Sequence, residues 1–560
     1  MKKIISLLLI CAMAISCVVL AGCDKSADNK NDTTAPTTAA GGEGAQTTGY
    51  VDPTESLTVQ VSDDKYRNFY HIWVCSFHDS DGDETGDLQG IIDKLDYLND
   101  GDPTTDTDLG VDGIWLSPMM PSDSYHKYDV DDYMDVDPEF GDLETFDKLI
   151  EECDKRGINV ILDLVLNHCG TGHEFFQNAL TEVKAGDFEN HAKYYKFTAG
   201  IPGVEGWRQL IGTSIWYEGQ FSGEMPEWNL AYQGTRDYFE EVAKFWLERG
   251  VDGFRLDAVK YMTDDETDGV EFLDWFYTTS QKYNPDVYMV GENWQGNSQL
   301  YVTYESGIDS QFAFDFATGG GHFAMAANSG SGKSLAAQLM KFDTNSVEAN
   351  ENVISAMFLS NHDMIRSANF FAQNLPYQKM GAAAYLLTPG NSFTYYGEEI
   401  GAVVPGDYSS NDAYFRGAMN WDDNVETTIW CTAEAYSEFP YGGVAQQVDD
   451  DNSLLSFYRR AIKIKNQNPE IARGHITETY FQDVNSLCAF TIEYEGKELL
   501  IVHNMDPDEA VSVTVSDIIE NPVIRGDLYA AEVVDDNYSA IEDGTLSMPA
   551  QSSVVIASAE

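Results

Sequence analysis

Four short runs hold the residue types that nucleophilic and acid–base chemistry require. The run Gly253 to Tyr261, Gly-Phe-Arg-Leu-Asp-Ala-Val-Lys-Tyr, follows a helix-like segment ending at Glu248-Arg249-Gly250. It reads as the end of a buried strand, and a strand points side chains two apart to one face, so Arg255 and Asp257 emerge together. An arginine beside an aspartate favours the ionised carboxylate. Held ionised at a strand end, such a carboxylate suits a nucleophile, which must attack before any proton reaches it. A structural ion pair explains this run alone equally well. Three further runs end apolar stretches in the same manner: Asp163-Leu-Val-Leu-Asn167-His168, Val290-Gly-Glu292-Asn293 and Phe358-Leu-Ser-Asn361-His362-Asp363. Cleaving a glycosidic bond with retention needs one ionised carboxylate as nucleophile and one protonated carboxyl as acid and base. Asp257 fits the first role and Glu292, on the neighbouring strand, the second.

The elements that must position these residues recur along the chain. Strand candidates are 69–77, 113–117, 159–167, 253–259, 287–293, 311–316, 354–360 and 392–396. Amphipathic segments such as 143–156, 236–249 and 271–282 lie between several of them, and this alternation predicts parallel strands with helical crossovers. The fold class is α/β, with eight such units predicting a closed (β/α)8 TIM barrel whose site lies at the C-terminal strand ends. The connection after the third strand is too long for a simple crossover and predicts an excursion domain. Beyond Pro469, alternating stretches such as 488–493, 498–503 and 511–515 predict a C-terminal antiparallel β-sandwich domain. The expected boundaries are 62–168 and 233–468 for the barrel, 169–232 for the excursion and 469–560 for the β domain.

In order and strand assignment, the four runs resemble the signature regions of the α-amylase family, glycoside hydrolase family 13, over about 63 to the C-terminus. The resemblance implies that Asp257, Glu292 and Asp363 are the catalytic carboxylates, with Asp363 stabilising the transition state. It implies further that His168 and His362 hydrogen-bond the sugar, Arg255 orients Asp257 and Asp163 supports the site from below. Tyr125-His-Lys-Tyr-Asp129 resembles the family's wall of the sugar subsite, with Tyr128 stacking on the ring and His126 bonding to it. In relatives that trim chain ends, an aspartate and an arginine at the places of Asp129 and Arg366 pair and close the pocket, which implies short oligosaccharides as substrates; a surface ion pair would account for the two residues almost as well. Lys260-Tyr261 stands where many α-amylases have Lys-His. Met225 to Asn229 lies between the versions typical of three branches of the family. Trp207, Trp216 and Trp228 in the excursion are sugar platforms or packing residues.

The loop from Asp79 to Asp87 sets Asp79, Asp81, Asp83 and Asp87 around glycines, a pattern that wraps oxygen ligands around calcium. It resembles the calcium loop of the oligo-1,6-glucosidase branch, which implies the Thr85 carbonyl as a further ligand.

Lys2-Lys3 and the apolar run 4–20 form a secretory signal within residues 1–22. Leu20-Ala-Gly-Cys23 resembles a bacterial lipobox, implying lipidation at Cys23, a disordered tether over 23–55 and a body at the extracellular face of the cytoplasmic membrane. Eight cysteines, three of them in the export segment, form neither a disulfide framework nor a zinc pattern. The formal net charge of -60 excludes nucleic acid as a partner, since phosphate binding needs a basic face. The expected function is retaining hydrolysis of α-glucosidic bonds in starch, maltodextrins or related α-glucans. The alternatives are an α-glucosidase or oligo-1,6-glucosidase, a glucanotransferase, a trehalose-forming isomerase, and a lipoprotein that captures starch without cleaving it. Oligomeric state is left open.

Overall fold

The computed structural model describes residues 51–55, 67–262, 266–406, 412–422, 427, 437–533 and 537–559. The signal, the lipobox with Cys23 and most of the tether lie outside the described residues. In chain order the strands of the first part are β1 (Asn68–Ile72), β2 (Gly113–Leu116), β3 (Asn159–Leu164), β4 (Phe197–Ala199), β5 (Trp207–Gln209), β6 (Ile215–Glu218), β7 (Gly253–Leu256), β8 (Tyr288–Gly291), β9 (Ser310–Gln311), β10 (Ala356–Phe358) and β11 (Asn391–Tyr395). Eight of them form one sheet in the order β10-β11-β1-β2-β3-β7-β8-β9. A parallel bridge from Phe312 to Ala356 joins its two ends, so the sheet curls into a nearly closed barrel.

Alternation along the strands sorts side chains between two cores. Phe69, Trp115, Ile161, Tyr288, Val290, Phe312, Phe358 and Phe393 fill the barrel interior. Their neighbours Tyr70, Ile114, Leu162 and Met289 face outward, in the core shared with the surrounding helices. The helix Leu143–Asp154 shows the complementary pattern, burying Phe146, Leu149, Ile150 and Cys153 at helical spacing. Its first turn is capped by Asp142, whose side chain accepts from Thr145 N at 2.8 Å.

Seven of the eight barrel strands are shorter than expected, and at β1 and β9 a turn takes the chain out of the sheet. The chain leaves the sheet after Ile72 and takes a buried helical turn over Val74–Phe77. A continuous apolar run does not separate a buried strand from a buried turn by its period. The sixth barrel strand is only Ser310–Gln311, after which the chain turns so that Ala313 N donates to Ala356 O.

Between β3 and β7 lie the helix Glu174–Ala185 and the three-stranded sheet β4-β6-β5. Trp228 pins this excursion to the barrel: it is 2% exposed, stacks on Tyr195 of the excursion, and donates its backbone N–H to Asn167 O at 3.0 Å and its Nε1 to Tyr133 OH at 3.3 Å. The C-terminal part comprises β12 (His475–Thr479), β13 (Leu487–Tyr494), β14 (Lys497–Asn504), β15 (Val511–Thr514), β16 (Pro522–Tyr529), β17 (Ala540–Glu542), β18 (Thr545–Met548) and β19 (Ser552–Ser558). Antiparallel sheets of five and three strands enclose Leu487, Leu500, Val502, Leu546, Val554 and Ile556, which makes a β-sandwich. Cys75, Cys153, Cys169 and Cys488 are buried, while Cys431 lies outside the described residues. No helix among the described residues is long and apolar enough to cross a membrane.

Candidate active site

The C-terminal ends of the barrel strands open into a cavity of about 550 Å³ lined by Asp257, Glu292 and Asp363 together with His126, Tyr128 and His168. Their convergence follows from the barrel's alternation. Ile161 and Val290 belong to the interior plug, so Asp163 and Glu292, two residues further on, also point inward, one layer higher. Arg255 sits among them, fully buried. Its Nη1 lies 2.7 Å from Asp163 Oδ1 and 2.7 Å from Asp257 Oδ1, and its Nη2 lies 3.2 Å from Glu292 Oε2. One guanidinium therefore fixes three carboxylates, which its planar fork of donors allows and a lysine's point charge does not.

The backbone turns abruptly after Asp257. Ala258 takes a left-handed conformation at φ 52°, and its N–H donates to Glu292 Oε2 at 3.0 Å. Tyr128 donates its hydroxyl to Asp163 Oδ2 at 2.9 Å, and that hydroxyl lies 2.7 Å from His362 Nε2. The same His362 nitrogen is 2.8 Å from Asp363 Oδ2.

Burial drives the carboxyls apart in acidity. Desolvation, aided by the charges of Asp257 and Asp363 and opposed by Arg255, pushes Glu292 up to about 8. Desolvation likewise raises Asp163 to about 7 against the pull of Arg255. Burial also works to raise Asp363, but His362, Arg416 and Arg255 outweigh it and hold this carboxyl well below the usual range. A protonated carboxyl and an ionised one thus share a cavity at neutral pH, as acid–base work on one bond requires. His126, His168 and His362 are lowered from the ordinary imidazole value, chiefly by burial. His168 Nε2 has no partner among the described residues and is available to a ligand in the cavity.

Two predicted residues do not meet. Asp129 accepts from Ser122 Oγ at 2.7 Å and from Ser124 Oγ, whereas Arg366 donates to the carbonyls of Tyr396 and Gly417. Arg366 also packs over the rings of Tyr395 and Tyr396, at 4.7 and 4.5 Å. The expected Asp129–Arg366 closure is therefore corrected: local hydroxyls satisfy one side chain, and carbonyls and ring faces behind the cavity satisfy the other. The arginine that enters the cavity is Arg416. Its Nη2 is 2.8 Å from Asp363 Oδ1 and 2.8 Å from Asp412 Oδ2, and its Nη1 donates to Tyr125 OH at 2.8 Å. Sequence reasoning missed Arg416, and its only local signal is the i,i+4 spacing from Asp412. Trp294 was missed too, although it follows Glu292 closely: it is 45% exposed, stacks on Phe314 and lines the cavity.

In the loop after β1, carboxylate oxygens of Asp79, Asp81 and Asp87 lie within 4.8 Å of one another. Asp79 Oδ1 accepts from the backbone N–H groups of Asp81 and Gly82, which shapes the loop. The Asp83 carboxylate lies outside this cluster and accepts from Thr85 N at 2.8 Å. Three convergent carboxylates form a hard oxygen donor set of the kind calcium takes.

Residues 71–474 match the family model of the α-amylase catalytic domain. Alpha-amylase 3 of Dictyoglomus thermophilum is 33% identical over 79% of this chain and 85% of its own length. Oligo-1,6-glucosidase of Bacillus cereus is 26% identical, covering 80% of this chain and 92% of its own. Among solved structures, Eubacterium rectale Amy13B superposes with a TM-score of 0.81 at 35% identity, over 91% of this chain and 100% of that one. The α-amylase from H. orenii gives 0.76 at 30% identity, over 89% and 100%.

Proposed function

The chain belongs to the α-amylase family of glycoside hydrolases, and from that premise we propose that it hydrolyses α-glucosidic bonds of starch, maltodextrins or related α-glucans with retention of configuration. The observation that carries this reading is the single Arg255 guanidinium gripping both Asp257 and Glu292, with Glu292 raised to about 8. Asp257 attacks the anomeric carbon as the bond to the leaving sugar oxygen breaks, and Glu292 gives that oxygen its proton. Glu292, now ionised, takes a proton from water, whose oxygen displaces Asp257 and regenerates both carboxyls. Asp363, kept ionised by His362 and Arg416, stabilises the positive charge that develops on the sugar ring. Tyr128 supplies an aromatic wall, and His126 and His168 offer nitrogens to sugar hydroxyls, whereas His362 does not line the cavity and its Nε2 is engaged by Tyr128 and Asp363.

Because Asp129 and Arg366 do not pair, this wall of an exo-acting pocket is missing, which favours internal cleavage of long chains. The test is to incubate the full chain with a long malto-oligosaccharide and follow product length and anomeric configuration by proton NMR. Early α-anomeric products of mixed length are expected. Glucose alone would replace the reading with an α-glucosidase, products longer than the substrate with a glucanotransferase, and binding without cleavage with a capture protein. Asp257→Ala should lower the rate roughly 10⁴-fold or more while leaving the fold intact.

The Asp79, Asp81 and Asp87 cluster would hold calcium, with Asp83 and the Thr85 carbonyl beside it, and the ion would brace the loop after β1 rather than take part in bond cleavage. A lipid on Cys23 would tether the body to the outer face of the cytoplasmic membrane.

A further inference from the structure

The excursion sheet has two unlike faces. Phe197 and Tyr217 point inward onto Phe176 of the helix Glu174–Ala185. Strand register places Trp207, Trp216 and Glu218 on the opposite face: Trp207 pairs with Glu218, and Gln209 with Trp216. Thr198 pairs with Trp216 from the other side. The two tryptophans are therefore diagonal neighbours on adjacent strands, about 7 Å apart at their Cβ atoms and within reach of one ligand.

Both are partly exposed, and neither belongs to a hydrophobic cluster of the described residues. Trp228 of the same excursion shows the contrast, being 2% exposed and stacked on Tyr195. A core role thus accounts for Trp228 and leaves Trp207 and Trp216 without one.

The strands that carry this face are linked to the cleft lining. β6 runs on into Phe221, Ser222 and Met225, which line the cavity. Arg208 on β5 donates from Nε to Gly219 O at 2.8 Å and from Nη2 to Gln220 O at 3.0 Å, so both strands brace that lining segment. The ligand suited to the face is neutral: the chain carries a formal net charge of -60, and Glu218 on this face is paired with Lys196 at 3.1 Å. Thr198 and Gln209 add a hydroxyl and an amide beside the rings. Indole faces that stack on apolar ring surfaces, bordered by neutral hydrogen-bonding groups, fit a sugar polymer.

We propose that Trp207 and Trp216 form a second α-glucan-binding surface, which holds a polymer chain outside the cleft. The inference rests on the proposed α-glucan reading. It is tested with the full chain and a Trp207→Ala/Trp216→Ala double variant, by retardation in gels containing amylopectin and by kcat/KM on 4-nitrophenyl maltotrioside, a substrate too short to reach both sites. The variant should lose amylopectin affinity about tenfold, since each stacked ring contributes severalfold, and keep its kcat/KM on the short substrate. A Trp207→Phe/Trp216→Phe variant should recover part of the retardation.

Unchanged retardation overturns the proposal, whatever the variant does to vesicle co-sedimentation or to oligomeric state. A parallel loss of turnover on the short substrate overturns it too, because the tryptophans then serve the cleft or the fold. Failure of the wild type to cleave either substrate would defeat the α-glucan reading itself, whereas cleavage with unaltered retardation defeats only the second surface.

Discussion

Arg255 is the residue on which the site's electrostatics turn. It is buried and contacts Asp163, Asp257 and Glu292, yet it does not hold all three ionised. Desolvation wins at Glu292, which stands at about 8 and is protonated at neutral pH. The acid form is the working form, and it is lost as pH rises through that value. We expect kcat/KM for a neutral malto-oligosaccharide to fall on the alkaline side with a midpoint near 8, and a profile flat to pH 10 would remove Glu292 from the role. The second check is Glu292→Gln, which cannot give up a proton. It should lose roughly 10³-fold on malto-oligosaccharides and far less on α-glucosyl fluoride, whose leaving group needs no protonation. Equal losses on the two substrates would point to a positioning role instead.

At the scale of the element, the decisive feature is the end of β7. A strand alone would carry Asp257 onward in the ladder, but the left-handed Ala258 breaks the ladder and turns its N–H onto Glu292. An L-residue in that conformation costs roughly 1–2 kcal/mol, and a β-branched one more. Ala258 is 5% exposed, which leaves little room for added methyls. Ala258→Val should lower the melting temperature by several degrees and cut kcat at least about tenfold, whereas Ala258→Gly should leave kcat within about twofold. Indistinguishable kinetics and melting for the two variants would show that the turn is not what sets the Asp257–Glu292 geometry. The strand ends themselves were legible, because a period of two is local. The extents of β1 and β9 were not, since the turn after Ile72 and the bridge from Phe312 to Ala356 depend on what the chain meets on closure.

Across the whole molecule, the acidic loop after β1 lies apart from the cavity-lining residues, so metal binding there should be read in stability before activity. An ion at about 100 times its Kd stabilises by about 2.7 kcal/mol, which in a chain of this size raises Tm by a few degrees. Calcium added to chelator-treated protein should produce that rise, and Asp81→Ala should abolish it. A wild-type Tm indifferent to calcium would dismiss the site. Anchorage is likewise a property of the complete chain. Cys23→Ala should free the protein from the membrane fraction, and continued retention would count against lipidation.

The sequence by itself determined the barrel class, the C-terminal β domain and the four strand-end runs, because apolar periodicity and the spacing of charged residues along a strand are short-range properties. It also named the carboxylates that meet at Arg255. Only the tertiary structure decided that Asp129 and Arg366 go separate ways, that Arg416 and Asp412 reach the cavity, and that two excursion tryptophans face away from the core. Each of these outcomes depends on which loops come together on barrel closure, and contacts between distant segments leave no period for a sequence to carry.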